Sequence, residues 1–259
     1  MPMIGFGTWD IRGKDCIECV KNAISCGYRM IDTAIMYGNE KEVGKGIKES
    51  GIEREEIFLT SKLDSSCNSY LKAKEGILRS LEYMDMEYID LFLIHEPYEN
   101  NLDMYRALCE AYEKKLVKAI GVSNFNKRRL DNFLKECGII PAVNQIESHV
   151  FYPQLELVKY LEKNKIAAQA WGPLAQGKVK IFENDILKRT GEKYGKTAAQ
   201  VALRYLVQLG ISVVPKTTSE KRMKENINIF DFRLTEDEMI EISKLNKNQT
   251  LSPWTEHWN

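Results

Sequence analysis

The sequence predicts an α/β fold, and three observations predict it. Eight short runs of β-type residues recur along the chain, helical patterns lie between them, and several runs are almost wholly apolar, as in Leu91-Phe92-Leu93-Ile94. Strands that alternate with helices build a parallel sheet, and continuous apolar runs mark strands buried on both faces. The expected strands are Met3–Gly7, Tyr28–Asp32, Ile57–Lys62, Ile89–His95, Ala119–Ser123, Ala142–Glu147, Ile166–Trp171 and Ser212–Lys216. No linker, low-complexity tract or charge block interrupts them. They therefore fit one closed (β/α)8 TIM barrel occupying residues 1–259 as a single domain. An open doubly wound sheet is the alternative, because periodicity does not show closure.

The intervening helices carry their own punctuation. Asn39 with Glu42, Thr197 with Gln200 and Thr235 with Glu238 have the spacing of a capping box or its Asn variant, so each opens a helix. Gly27, Gly51, Gly138 and Gly210 fall just past periodic stretches, where a left-handed residue ends a helix.

Composition excludes several functions. The chain has 259 residues with 37 Lys+Arg against 37 Asp+Glu, which leaves no polybasic footprint for nucleic acid or an anionic membrane. Its start shows no secretory signal, and no apolar run approaches the roughly 18 residues of a membrane span. A cytoplasmic protein is expected. Six cysteines include one CxxC, at Cys16 and Cys19, with no second pair at zinc spacing, so they read as reduced thiols and no metal site is expected. Gly5-Phe6-Gly7 lacks a third glycine at Asp10, and GxxxxGK[ST] and GxSxG are absent. This disfavours the commonest dinucleotide-binding fold without excluding a dinucleotide. No heptad seam appears, and a monomer or weak oligomer is expected.

In a barrel the chemistry collects where strands end at their C-termini. Here those ends present Trp9, Asp32, Lys62, His95, Asn124, Gln145, Trp171 and Lys216. Taken singly each has a bland reading: Asp32 and Lys62 as a structural ion pair, His95 as a core histidine, Tyr37 as loop cover. Together the four form a chemical unit. A tyrosine with a pKa of about 10 is a poor acid at neutral pH. A neighbouring Lys62 ammonium favours the phenolate, Asp32 keeps that lysine charged and placed, and His95 donates to the same substrate oxygen. Such a group protonates a carbonyl oxygen as hydride attacks the carbon, since neither an acyl nucleophile nor a metal cluster accompanies it.

A phosphate site is legible as well. Ser219 is placed to cap a helix from Glu220, with Lys216, Thr217 and Thr218 before it and Arg222 in its first turn. A helix N-terminus flanked by two cations suits a monoester phosphate; an ordinary basic loop is the bland reading. Trp171-Gly172-Pro173 offers an aromatic face for a flat nicotinamide ring, against the reading of a core tryptophan.

Several motifs then stand in register: Asp32-Thr33-Ala34 with Tyr37-Gly38-Asn39-Glu40, Thr60-Ser61-Lys62, Leu93-Ile94-His95, Gly121-Val122-Ser123-Asn124-Phe125 and Asn144-Gln145-Ile146-Glu147. From about Met3 to Leu245 the chain resembles the aldo-keto reductase family. The resemblance implies a (β/α)8 barrel and NADPH-dependent reduction of an aldehyde or ketone without a Rossmann domain. It implies Tyr37 as general acid, Lys62 and Asp32 as the groups that tune it, and His95 as the residue that orients the carbonyl. It further implies Ser123, Asn124 and Gln145 at the nicotinamide carboxamide, Trp171 stacked on the ring, Lys216, Thr217 and Arg222 at the 2′-phosphate, and Glu225 and Asn226 at the adenine. Trp9, Met36, His95 and Glu96 are expected to contact substrate. The chain is similar to bacterial and protist members that reduce small dicarbonyls, methylglyoxal-like aldehydes or keto-sugars of the diketogluconate type.

Departures from the family pattern carry expectations too. The chain begins almost at the first strand, so the hairpin that usually plugs the barrel bottom is expected to be missing or removed and the floor to be more exposed. Glu96 stands where many members have a pocket tryptophan, which exchanges an aromatic wall for a negative charge and disfavours large aromatic aldehydes. Gly172 replaces a common serine and leaves one cofactor contact to the backbone. The aromatic tail Ser252–Asn259 either drapes over the pocket or packs as an ordinary terminus. Two other functions fit parts of the pattern: an aldolase using Lys62 as a Schiff-base lysine, and a nicotinamide-binding regulatory barrel with little turnover.

Overall fold

The computed structural model describes residues 1–258, with side chains described as far as Thr255. Eight parallel strands lie in chain order in one curled sheet: β1 (Phe6–Gly7), β2 (Met30–Asp32), β3 (Phe58–Leu63), β4 (Leu91–Ile94), β5 (Ile120–Ser123), β6 (Val143–Glu147), β7 (Ala167–Trp171) and β8 (Ser212–Val213). Ten α-helices stand among the described residues: α1 (Gly13–Ser25), α2 (Glu40–Glu49), α3 (Tyr70–Met84), α4 (Asn101–Glu113), α5 (Lys127–Phe133), α6 (Leu155–Lys163), α7 (Asp185–Glu192), α8 (Ala198–Gln208), α9 (Glu220–Ile227) and α10 (Glu236–Ser243). Every expected strand is present.

The first and last strands come together. Gly5 N–H donates to Val213 O at 2.8 Å, Val213 N–H to Met3 O at 3.0 Å and Gly7 N–H to Pro215 O at 3.1 Å, and Ile4 bridges Val213 in parallel. At this approach a Cβ on Gly7 would lie 2.9 Å from Val214 O, so the glycine is what lets the two backbones meet. β8 is shorter than expected because Pro215 has no N–H to extend its ladder.

Alternation along each strand sorts the side chains into two cores. Leu91, Leu93 and Val143, with Phe58 and Ala119 against them, form a small cluster on the inner face. Phe92, Ile94 and Val122 point the other way, into the large cluster between sheet and helices. Each fully buried side chain of this size contributes about 1.5–3 kcal/mol. The lowest inner positions, Phe58 and Ala119, are only half-buried and Ala167 is exposed, in line with an open floor.

Helix punctuation follows the sequence with one exception. Thr197 and Thr235 make complete capping boxes with Gln200 and Glu238, and Gly27, Gly51, Gly138 and Gly210 all have positive φ. Asn39 does not cap α2 and is taken up below. The six cysteines are unpaired, and among the described residues no three metal-ligating side chains converge. No helix among them is long and apolar enough to cross a membrane.

Candidate active site

β2 ends on Asp32, and the chain turns at once through a single 3₁₀ turn, Ile35–Tyr37, closed by Gly38 at φ 64°. A left-handed residue here costs glycine nothing and most others about 1–2 kcal/mol. The sequence assigns Asn39 to a helix cap, and this is corrected: its side chain makes no cap bond. It is buried instead, with Nδ2 donating to Thr8 O and Ile11 O, both at 2.9 Å, while Oδ1 accepts from Thr33 Oγ1 at 2.7 Å. Using both ends of the amide as a clamp ties the loop after β1 to the loop after β2. That clamp brackets Tyr37. Beyond it, Ser61 Oγ donates to Glu40 Oε1 at 2.6 Å and holds the start of α2 on β3.

Lys62 is completely buried, and its ammonium has three donors. They reach Asp32 Oδ1 at 2.7 Å, Thr33 O at 2.9 Å and Tyr37 Oη at 3.3 Å. Burial opposes the charge, yet the Asp32 carboxylate and the Tyr37 oxygen outweigh it and hold the Lys62 pKa above its usual value. For Tyr37 the balance goes the other way: burial pushes the phenol up, and Lys62 only partly pulls it back. The expectation that Lys62 lowers this pKa therefore holds for the lysine's contribution and not for the net direction. Lys62 approaches an acceptor side of Oη, so the phenol proton remains available to another acceptor.

Two rings frame Tyr37 edge-on, His95 at 5.6 Å and Trp9 at 5.0 Å between centroids. Burial, and then the charge of Lys62, push the His95 imidazole well below its usual pKa. It is neutral at neutral pH and carries one N–H. Trp9 and Met36 are about half exposed at the rim (49% and 48%).

The site continues inward along a polar row. Asp32 Oδ2 accepts from Gln145 Nε2 at 2.7 Å, and the same amide nitrogen donates to Gln169 Oε1 at 2.6 Å. The Gln169 nitrogen ends 3.4 Å from Met30 Sδ. Ser123 Oγ donates to Gln145 O at 2.9 Å. Asn124, at φ 61°, accepts from Trp171 Nε1 at 2.8 Å and donates to Glu96 Oε1 at 2.9 Å. Ser123, Asn124, Gln145 and Trp171 thus form one surface beside the tetrad of Asp32, Tyr37, Lys62 and His95, on the ends of β5, β6 and β7.

Past the end of β8, Ser219 Oγ caps α9 through Arg222 N–H. Lys224 pairs with Glu220 and Lys221 with Glu225. Lys216 and Arg222 are exposed, and among the described residues neither has an acidic partner within ion-pair distance. Thr217, Glu225 and Asn226 lie beside them; Asn226 is buried at 4% exposure, so its neighbours on α9 offer more surface than it does. Two unpaired cations and a helix N-terminus fit a phosphate.

The family model described as the Aldo/keto reductase family matches residues 3–247. The chain belongs to the aldo/keto reductase family. It is similar to the glyoxal reductase of Bacillus subtilis (strain 168), with 42% identity over 98% of this chain and 92% of that one. It is also similar to the methylglyoxal reductase DkgA of Escherichia coli (strain K12), with 37% identity over 98% of this chain and 92% of that one. Among solved structures, an aldo-keto reductase, MGS-M4, from a Medee basin deep-sea metagenome library superimposes at a TM-score of 0.95, with 41% identity over 97% of this chain and 93% of that one.

In this aldo/keto reductase the segment after α10 comes back to the site. Leu251 N–H donates to Glu147 Oε1 at 3.0 Å, and the Thr250 hydroxyl donates to Oε2. His149 Nε2 lies 3.2 Å from Glu147 Oε1. Burial alone would raise the Glu147 pKa, but these partners outweigh it and lower it. Beyond the anchor, Trp254 stacks on Trp171 with centroids 5.7 Å apart and planes at 15°. The tail therefore drapes over the site as far as Thr255; Asn259 and the side chains of residues 256–258 lie outside the described residues. Sequence reasoning missed Glu147 and Gln169. The available signal was a carboxylate and an amide at inward positions of β6 and β7, where a buried polar group needs a partner.

Proposed function

We propose that this chain is an NADPH-dependent carbonyl reductase, built as one (β/α)8 barrel domain, that converts a small aldehyde or ketone to the alcohol. The observation that carries the reading is the placement of Lys62, whose three donors meet Asp32, Thr33 O and Tyr37 Oη. NADPH, when bound, supplies hydride to the carbonyl carbon. Tyr37, a phenol already protonated at neutral pH and pushed further that way by burial, releases its proton to the carbonyl oxygen. The phenolate left behind faces an ammonium that Asp32 keeps charged and in place. Neutral His95 donates its N–H to the same oxygen and orients the carbonyl.

The residues present fit the cofactor. Both donors of the Gln145 amide are engaged, so its Oε1 is left for the carboxamide N–H2, alongside Ser123 and Asn124. Trp171 would offer the nicotinamide the ring face that Trp254 does not cover. Lys216, Thr217 and Arg222 would take the 2′-phosphate, with Glu225 and Asn226 toward the adenine. Trp9, Met36, His95 and Glu96 line the substrate side. The names of the relatives point to small dicarbonyls such as glyoxal and methylglyoxal. We place the enzyme in the cytoplasm, acting as a monomer or weak oligomer on a small carbonyl.

A Schiff-base role for Lys62 is not favoured. Its nitrogen is engaged with three acceptors and its pKa is raised, whereas a nucleophilic amine needs a depressed one. No observation favours a regulatory barrel without turnover. The test is NADPH oxidation with glyoxal, methylglyoxal and simple ketones, with NADH in parallel. Turnover that prefers NADPH is expected; binding of NADPH with no turnover of any carbonyl would overturn the reading.

A further inference from the structure

Gln169 stands in the middle of β7 with its side chain completely buried. An amide is unusual there, because the side chains packed on the same face of the sheet are Leu91, Leu93 and Val143. Taking an amide out of water costs stability unless both of its ends find partners. Here the nitrogen finds only sulfur, Met30 Sδ at 3.4 Å and Met1 Sδ at 3.6 Å, and a thioether is a weak acceptor. The well-made bond is at the other end, where Gln169 Oε1 accepts from Gln145 Nε2 at 2.6 Å.

Strand register explains the meeting. Gln145 and Gln169 are direct partners on the parallel strands β6 and β7, so their side chains leave the sheet on the same face. Gln145 then crosses the interior to β2, where its nitrogen also donates to Asp32 Oδ2 at 2.7 Å. The Asp32 carboxylate, paired with Lys62, only accepts, and so decides which end of the Gln145 amide faces it. That bond alone leaves the amide plane free to turn. The bond to Gln169 fixes the plane, because Nε2 then uses both of its N–H groups in two set directions. Gln145 Oε1 is thereby held in one place beside Ser123 and Asn124.

We propose that Gln169 is a positioning residue for the cofactor: through the Gln145 amide it fixes the oxygen that reads the carboxamide N–H2 of a nicotinamide. The proposal rests on the reductase reading above and deepens its cofactor half. Gln169→Met removes the acceptor with an unbranched side chain of similar length, and Gln169→Glu keeps an oxygen for Gln145 Nε2 to reach.

The experiment titrates each protein with NADP+ and with its 3-acetylpyridine analogue, in which a methyl group replaces the carboxamide N–H2. The analogue-to-NADP+ ratio of Kd values is taken within each protein. A merely structural defect weakens both nucleotides alike and cancels in that ratio. Wild type is expected to favour NADP+ by roughly five-fold or more, the scale of one hydrogen bond. That preference should fall about three-fold or more in Gln169→Met and stay within about two-fold of wild type in Gln169→Glu. Where Gln169→Met does not fold, Gln169→Asn, whose amide is drawn back by one methylene, takes its place with the same expected fall. A preference unchanged in the variant that lacks the acceptor overturns the proposal, and so does an equal fall in Gln169→Glu. Wild type that binds both nucleotides alike removes the carboxamide contact from Gln145 and overturns the proposal while the reductase reading stands. Wild type that binds neither overturns the cofactor half of that reading as well.

Discussion

The tetrad and the proposed phosphate edge at Lys216 and Arg222 share one end of the sheet and are built in opposite ways. At the tetrad, Lys62 has all its donors engaged and Asp32 uses both oxygens, on Lys62 and on Gln145. At the edge, Lys216 and Arg222 are exposed, and no acid pairs with either among the described residues. A network complete before the ligand arrives acts on the chemical step, because its dipoles need no reorganisation when charge moves. Unpaired surface cations act on binding. Lesions in the two regions should therefore separate into kcat and cofactor KM.

The largest effect is expected from Lys62→Met. It should lower kcat by about 10²-fold or more through loss of the charge beside the phenolate. It should also destabilise the fold by about 3–5 kcal/mol, because Asp32 is left as a buried carboxylate without its cation. Denaturant unfolding beside steady-state kinetics checks both; a variant of wild-type stability would show that Asp32 is not held as described.

A smaller effect is expected at the edge. Replacing Lys216 and Arg222 together by Ala should raise KM for NADPH roughly ten- to a hundred-fold, the scale of one or two hydrogen bonds to a charged group. KM for NADH and kcat should hardly move, and added salt should weaken NADPH binding in wild type more than in the double variant. Loss of kcat instead would erase the distinction between the regions.

The smallest effect is in the pH profile. If Tyr37 is the proton donor, as proposed, reduction needs it protonated, and burial raises that pKa from its usual value of about 10. The reduction rate should stay flat through neutral pH and fall only above about pH 10. Alcohol oxidation requires the phenolate and should rise with pH instead. His95 is already neutral, so it should add no step near its usual pKa of about 6.5.

Much of this was legible in the sequence for a physical reason. Strand ends follow from short β-type runs that give way to loop, and Asp32 and Trp171 close their strands, His95 follows the last residue of β4, and Lys62 lies one residue before the end of β3. What local pattern could not show is which distant residues meet. Gln145 reaches Asp32 across 113 positions of chain, and Trp254 stacks on Trp171. Asn39 misled for a related reason: Asn with Glu at capping spacing is a local signal, and a buried site offering Thr8 O, Ile11 O and Thr33 Oγ1 outcompeted it. The net direction of the Tyr37 pKa was hidden too, because it depends on how deeply the loop packs rather than on which residues neighbour it.

The most direct test is a single-turnover measurement with NADPH and methylglyoxal on Tyr37→Phe, beside an NADPH binding titration. The chemical step is expected to slow about 10²–10⁴-fold, with NADPH affinity within a few-fold of wild type. A variant that transfers hydride at the wild-type rate would show that Tyr37 is not the proton donor.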